Sequence, residues 1–209
     1  MSENNRYVCQ NVKMPLMPKA GDPVWEMAAQ AYLSDVESGQ TPFLLTEFRL
    51  LRDDAQRALF VRFKGQDDEV VSTFRRHDEC LYEQDVFELF IADGEGLTAY
   101  KEIEVSPYDR HFTARVSFKS PDDFSLDMGW DIPGFITHAD LERGQNLTFS
   151  LWRLPYDAFE KAPLPGTSFR FNAFRIDHSI RGRSLQAWQQ TGIPNFHVPE
   201  RFGFLDFTE

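Results

Sequence analysis

The sequence predicts an all-β fold, an antiparallel β-sandwich carrying one or two short helices. Short segments with apolar residues at every second position recur along the chain, with turn-forming residues between them. Only the stretch at Trp25, Ala28, Ala29 and Tyr32 has helical spacing, so the strand–helix alternation of a doubly wound fold is missing. Twenty phenylalanines in 209 residues supply bulk for a large core.

In chain order, residues 7–12 read as a short strand. Prolines at 15 and 18 and the step Gly21-Asp22-Pro23 then force an irregular crossing, and Trp25 opens a short helix. Residues 43–51 and 59–64 alternate as strands around a polar hairpin loop at 52–57. An acidic turn at 65–69 and a strand at 70–74 follow. Residues 93–96 (Asp-Gly-Glu-Gly) are a turn by composition, and 100–106 and 112–118 alternate before a loop around Pro121. Residues 147–154, 169–176 and 202–207 complete the strands. No repeat or linker divides the chain, which predicts a single domain over 1–209, with 1–21 an extension packed on it.

The segment Tyr82-Glu83-Gln84-Asp85-Val86-Phe87-Glu88-Leu89-Phe90-Ile91 is the most telling. Its second half is rich in aromatic and branched residues, which favour a strand. At period two, Phe87, Leu89 and Ile91 share one face, and Val86, Glu88 and Phe90 the other. A carboxylate between two large apolar neighbours costs several kcal/mol unless the protein, a metal or a ligand satisfies it. In residues 100–106 the same alternation puts Glu102, Glu104 and Ser106 on one face. If the strands are neighbours, Glu88, Glu102 and Glu104 share a surface and can hold calcium, raise one another's pKa or act as acid and base. The alternative is a solvated face for Glu102 and Glu104, with Glu88 paired to an arginine such as Arg175.

A net charge of −11 argues against nucleic acid or an anionic membrane as the partner. No run approaches a membrane span, and the first residues lack the apolar core of a secretion signal. The chain as it stands is therefore expected in the cytoplasm, and outside the cell if a leader has been removed. Cys9 and Cys80 are too few for a disulfide scaffold and read as buried thiols, with one bridge left open. His77 and Cys80 have an H-x-x-C spacing but no second pair to complete a zinc site.

Asp22-Pro23-Val24-Trp25, Leu59-Phe60-Val61-Arg62-Phe63, the segment 82–91 and Tyr100-Lys101-Glu102-Ile103-Glu104-Val105-Ser106-Pro107 stand in a definite order. Phe171-Asn172-Ala173-Phe174-Arg175, Trp188 and Phe196-His197-Val198-Pro199-Glu200-Arg201-Phe202-Gly203 continue it. Over roughly 22–207 this order resembles family 9 carbohydrate-binding modules. The resemblance implies a DOMON-like sandwich, immunoglobulin-like and related to jelly rolls, that binds a saccharide without catalysis. By position, Tyr82 and Phe196 match the two rings that grip the sugar, where the family carries tryptophan. Glu88 matches the carboxylate that bonds its hydroxyls, and His197 in the closing motif joins it as a candidate. Glu104 and Ser106 stand where some members carry arginine and asparagine. Trp25, Trp130, Trp152, Asn172 and Phe202 are assigned to architecture.

A ring suits a pyranose because axial C–H bonds present an apolar, slightly positive face to an electron-rich surface. Arg76, in a basic pair near Tyr82, is a candidate for an acidic sugar such as a uronate. No cofactor is expected beyond the structural calcium that family 9 modules often carry; Asp53-Asp54 and Asp67-Asp68 lack the spacing of a calcium loop and read as solvated turns. Some DOMON relatives hold haem through Met and His, and Met14, Met17, Met27, Met128 and the five histidines show no axial pair. The alternatives to sugar binding are a carboxylate-based glycoside hydrolase and a protein-interaction module with an unspecified partner.

Overall fold

The alternation along 86–91 becomes a strand buried on both faces. The computed structural model describes residues 5–93, 96–120 and 123–208. Its strands are β1 (Arg6–Cys9), β2 (Ala31–Tyr32), β3 (Ser34–Asp35), β4 (Thr46–Asp53), β5 (Ala58–Gln66), β6 (Val86–Ala92) and β7 (Ala99–Val105). After them come β8 (His111–Ser120), β9 (Asp123–Asp127), β10 (Ile136–Glu142), β11 (Leu147–Pro155), β12 (Ser168–Ser179), β13 (Gly182–Ala187) and β14 (Gly203–Phe207).

Among the described residues these strands make two sheets. The larger runs β1-β14-β12-β6-β7-β8-β9, with β13 and β3 continuing from β12; the smaller runs β10-β11-β5-β4-β2. Pairing is antiparallel apart from β1, which runs parallel to β14, so the larger sheet is mixed.

Three layers of side chains hold the sheets. Between them lie Phe87, Leu89 and Ile91 of β6, Ile103 and Val105 of β7, Phe171 of β12, and Phe48, Phe63 and Trp152 from the smaller sheet. Phe63 and Phe87 stack across the interface with centroids 5.0 Å apart. A second cluster covers the opposite face of the larger sheet, with Val86, Phe90, Tyr100, Phe112, Phe174, Phe196 and Phe202. The third lies outside the smaller sheet, where Met14 and Trp25 pack on Leu51, Phe60 and Leu151. Burial on both faces explains why β6 reads as a continuous apolar run interrupted by one glutamate.

Several expectations need correction. Trp25 is the middle residue of a short 3-10 helix over Pro23–Met27, and Ala28 is already extended. Tyr32 lies in β2, paired with β4, so the helix stops where sheet hydrogen bonds take over. Residues 70–74 form no strand, because side chains replace a neighbouring ladder. Asp85 accepts from the Val71 amide at 2.5 Å, and Gln84 accepts from that of Thr73 at 2.5 Å. Gly65 and Gln66 extend β5 rather than turning.

Strands β9, β10 and β13 carry too little apolar alternation to be read from sequence. They exist because β8, β11 and β12 offer them paired edges. Of the expected turn at 93–96, Gly94 and Glu95 lie outside the described residues, as does Pro121 in the loop after 118.

Arg175 is buried on the inner face, bonded to Thr46 Oγ1 at 3.1 Å, the Gln66 carbonyl at 2.7 Å and the Asp177 carboxylate. It lies on the face opposite Glu88 and is not its partner. Asp53 and Asp67 are buried rather than solvated. Asp53 accepts from the Met14, Ala55 and Gln56 amides, while Asp67 accepts from Thr148. Cys9 is buried, Cys80 half-buried, and both are free thiols. His77 stacks on His111 with centroids 3.8 Å apart.

Candidate functional site

The outer face of the larger sheet carries a cavity of about 330 Å³, within the range of small-ligand sites. Strand parity dictates its floor. Val86, Glu88 and Phe90 point outward on β6, and register puts Glu88 directly across from Glu104 and Phe90 across from Glu102. Phe112 pairs with Glu104 on the far side of β7, and Phe174 with Glu88 on β12. The three glutamates therefore lie on one patch, with one oxygen of each within 4.8 Å of the others.

All three are buried, Glu88 at 1% exposure, Glu102 at 5% and Glu104 at 0%. Among the described residues, Glu88 Oε1, Glu102 Oε2 and both Glu104 oxygens meet no donor. Burial, followed by the charge of its neighbours, drives the carboxyls of Glu88 and Glu104 well above the ordinary range. Glu102 is pushed by burial to about 7, with the neighbouring Glu104 carboxyl acting in the other direction. Arg183, exposed on β13, acts on Glu88 as a weak opposing charge.

Aromatic rings make the walls. Tyr82 follows from the 3-10 turn Leu81–Glu83, is 39% exposed, and stands edge-on to Phe112 at 6.0 Å. Its hydroxyl is pushed to about 12 by a hydrogen bond with Cys80, then by burial. Phe196 is 7% exposed and stacks on Phe174 at 4.3 Å and 16°. His197 lies against Phe90 at 5.1 Å, with Nδ1 2.6 Å from the Tyr100 hydroxyl and Nε2 4.0 Å from Glu102. Burial lowers its pKa, favouring the neutral imidazole.

Of the residues singled out from the sequence, Tyr82, Glu88, Phe196 and His197 line this cavity, and Glu104 lies against its floor. The expectation of a solvated face for Glu102 and Glu104 is overturned, because the loop holding Phe196 and His197 and the turn holding Tyr82 roof that face. Arg76 is not in the lining; it is exposed and bonds Glu79 at 3.2 Å. Phe112, Phe124, Leu126 and Arg183 are among the other lining residues, and none of the four was expected there. Phe112 was available from the parity of 112–118, but the others sit on β9 and β13, whose sequences do not announce strands.

The chain matches the family described as Carbohydrate family 9 binding domain-like over residues 19–209. No curated protein matches it. Among solved structures, it is similar to a protein of Bacteroides uniformis ATCC 8492 to which carbohydrate binding is provisionally ascribed. That similarity has a TM-score of 0.78 at 17% identity, over 97% of this chain and 99% of the other. A family 9 carbohydrate-binding module of Caldicellulosiruptor kristjanssonii in complex with cellotriose superimposes with a TM-score of 0.65 at 18% identity, over 97% of this chain and 93% of that one. The same organism's module in complex with glucose gives 0.65 and 18%, over 97% and 95%. With the family pattern covering nearly all of the chain and an all-β sandwich behind it, this protein belongs to the family 9 carbohydrate-binding domain-like proteins.

Proposed function

We propose that the protein binds a saccharide without catalysis in the cavity over β6 and β7. Tyr82 and Phe196 act as the ring platforms, and Glu88 as the carboxyl that orients the hydroxyls. The observation that carries this reading is Glu88 Oε1, a buried oxygen without a partner among the described residues, on a side chain that lines an aromatic-walled cavity of ligand size. A buried polar atom without a partner is costly, and a sugar hydroxyl is a suitable donor. Membership of a carbohydrate-binding family supports the same reading, as do similar folds bound to cellotriose and glucose.

Binding is preferred to hydrolysis because of where the carboxyls stand. Glycosidases place an acid and a second carboxylate on opposite sides of the scissile bond. Here the glutamates share one floor on adjacent strands, and no carboxylate faces them across the cavity among its described lining residues.

Isothermal calorimetry against mono- and oligosaccharides, including glucose, cellotriose and a uronate, tests the proposal. None of the four tryptophans lines the cavity, so heat is a better readout than intrinsic fluorescence. Saturable binding that disappears in folded Tyr82→Ala supports it. Silence across the panel removes it.

A further inference from the structure

Resting on that saccharide reading, we propose that the preferred ligand is a cationic sugar, one with a free amine whose ammonium sits on Glu88, Glu102 and Glu104 while its ring lies against the aromatic walls. The clustering of buried acids on the floor carries the inference. Three carboxyl groups, each at least nine-tenths buried, bring an oxygen apiece within 4.8 Å of one another. Glu88 and Glu102 line the cavity itself, and Glu88 Oε1 has no partner among the described residues. A neutral sugar hydroxyl satisfies one such acceptor. An ammonium has three donors, and its positive charge favours the ionised form of the acids beside it, which release protons to solvent as it binds.

The other charged groups at the cavity do not compensate the trio. Arg183 is the single cation in the described lining, and it is exposed at the rim. Burial favours the neutral form of His197, which bonds Tyr100, and the raised pKa of Tyr82 keeps its hydroxyl protonated. The aromatic faces of Tyr82 and Phe90 lie beside the same patch, and ring faces attract cations. The apolar walls favour an organic cation over a bare metal ion, which prefers six to eight oxygen ligands.

The full chain is titrated calorimetrically with glucosamine, N-acetylglucosamine, glucose and calcium chloride at about pH 7, where a free amine is still largely protonated and Glu102 can ionise. Glucose replaces the amine by a hydroxyl of similar size, and N-acetylglucosamine keeps the nitrogen but removes its charge at the cost of an added acetyl group. Glucosamine is expected to bind at least ~10-fold more tightly than either neutral sugar. In Glu102→Gln/Glu104→Gln, which keeps the volume and removes two acids, this preference is expected to fall to about parity, with thermal melting confirming that the variant is folded. Equal or tighter binding of glucose by the natural protein overturns the cationic ligand and leaves the saccharide reading standing. Binding of neither kind of sugar overturns both. Calcium bound at the trio, with glucosamine no tighter than glucose, also overturns the proposal and assigns the acids to a metal.

Discussion

Glu88 and Glu104 stand directly opposite each other on β6 and β7, both buried, on the outer face of the larger sheet. Like charges at a cross-strand pair are destabilising, and burial sharpens the repulsion. The fold tolerates the pair by keeping protons on it. The stability of the protein and the chemistry of the cavity are therefore linked through the same carboxyl groups.

Stability should fall as pH rises through neutrality. A carboxyl whose pKa is higher folded than unfolded favours the folded state while protonated. That contribution is complete below the unfolded value, about 4.3, and is lost as pH passes the folded one. For Glu102 the folded value is about 7, and Glu88 and Glu104 shift in the same direction. The loss from Glu102 alone is on the order of 3 kcal/mol. Glu47 and Asp53, whose pKa values are lowered, act with the opposite sign and only at the acid end. Urea melts at pH 5 and pH 8 should show the decline, and Glu104→Gln should reduce it. A flat profile in the natural protein would argue against protonated acids on the floor.

Tyr82→Ala and Phe196→Ala should separate binding from folding. Tyr82 is well exposed and its removal should change stability by less than about 1 kcal/mol. Phe196 is buried against Phe174, and its truncation should cost about 3 kcal/mol. Both should weaken sugar binding by ~10-fold or more, taking about 1.4 kcal/mol as the lost stacking and burial. Thermal denaturation beside calorimetry distinguishes the two effects.

Arg175→Leu should destabilise the protein by about 3–5 kcal/mol, since it leaves Asp177 and Asp67 buried without their cation. Asp177 already has its carboxyl pushed to about 7 by burial, against the pull of Arg175. Chemical denaturation measures the loss. At conditions where the variant is folded, its sugar affinity should match that of the natural protein, because Arg175 lies on the inner face.

Gly65→Ala is expected to cost about 1–3 kcal/mol through overpacking. A Cβ there would stand 2.5 Å from Arg175 Nη1 and 3.0 Å from the Phe87 ring, between the two sheets. The shift in urea midpoint reads this directly, and an unchanged midpoint would mean that Arg175 has room to move aside.

Arg76→Ala should leave neutral-sugar and uronate titrations within about twofold of the natural protein, and stability within about 0.5 kcal/mol. Its guanidinium is exposed and engaged with Glu79, away from the cavity lining. A selective loss of uronate binding would return Arg76 to the site.

The sequence by itself determined the sandwich, the family, and the facing of residues in the strands whose alternation it shows, such as β6 and β7. Those follow from local rules: period two fixes opposite faces, so Phe87, Leu89 and Ile91 had to point inward once Glu88 pointed outward. Motif order, through the family resemblance, points to Tyr82, Glu88, Phe196 and His197 as one site. Tertiary structure alone decided that Glu102 and Glu104 lie buried beside Glu88, that Arg175 serves the opposite face, and that β9 and β13 close the cavity. These depend on register and on edge pairing between residues far apart in the chain. Glu88 meets Glu104 only through the pairing of β6 with β7, while β9 and β13 are held by neighbours rather than by their own composition. Periodicity fixes a residue's face, but its neighbours come from long-range pairing.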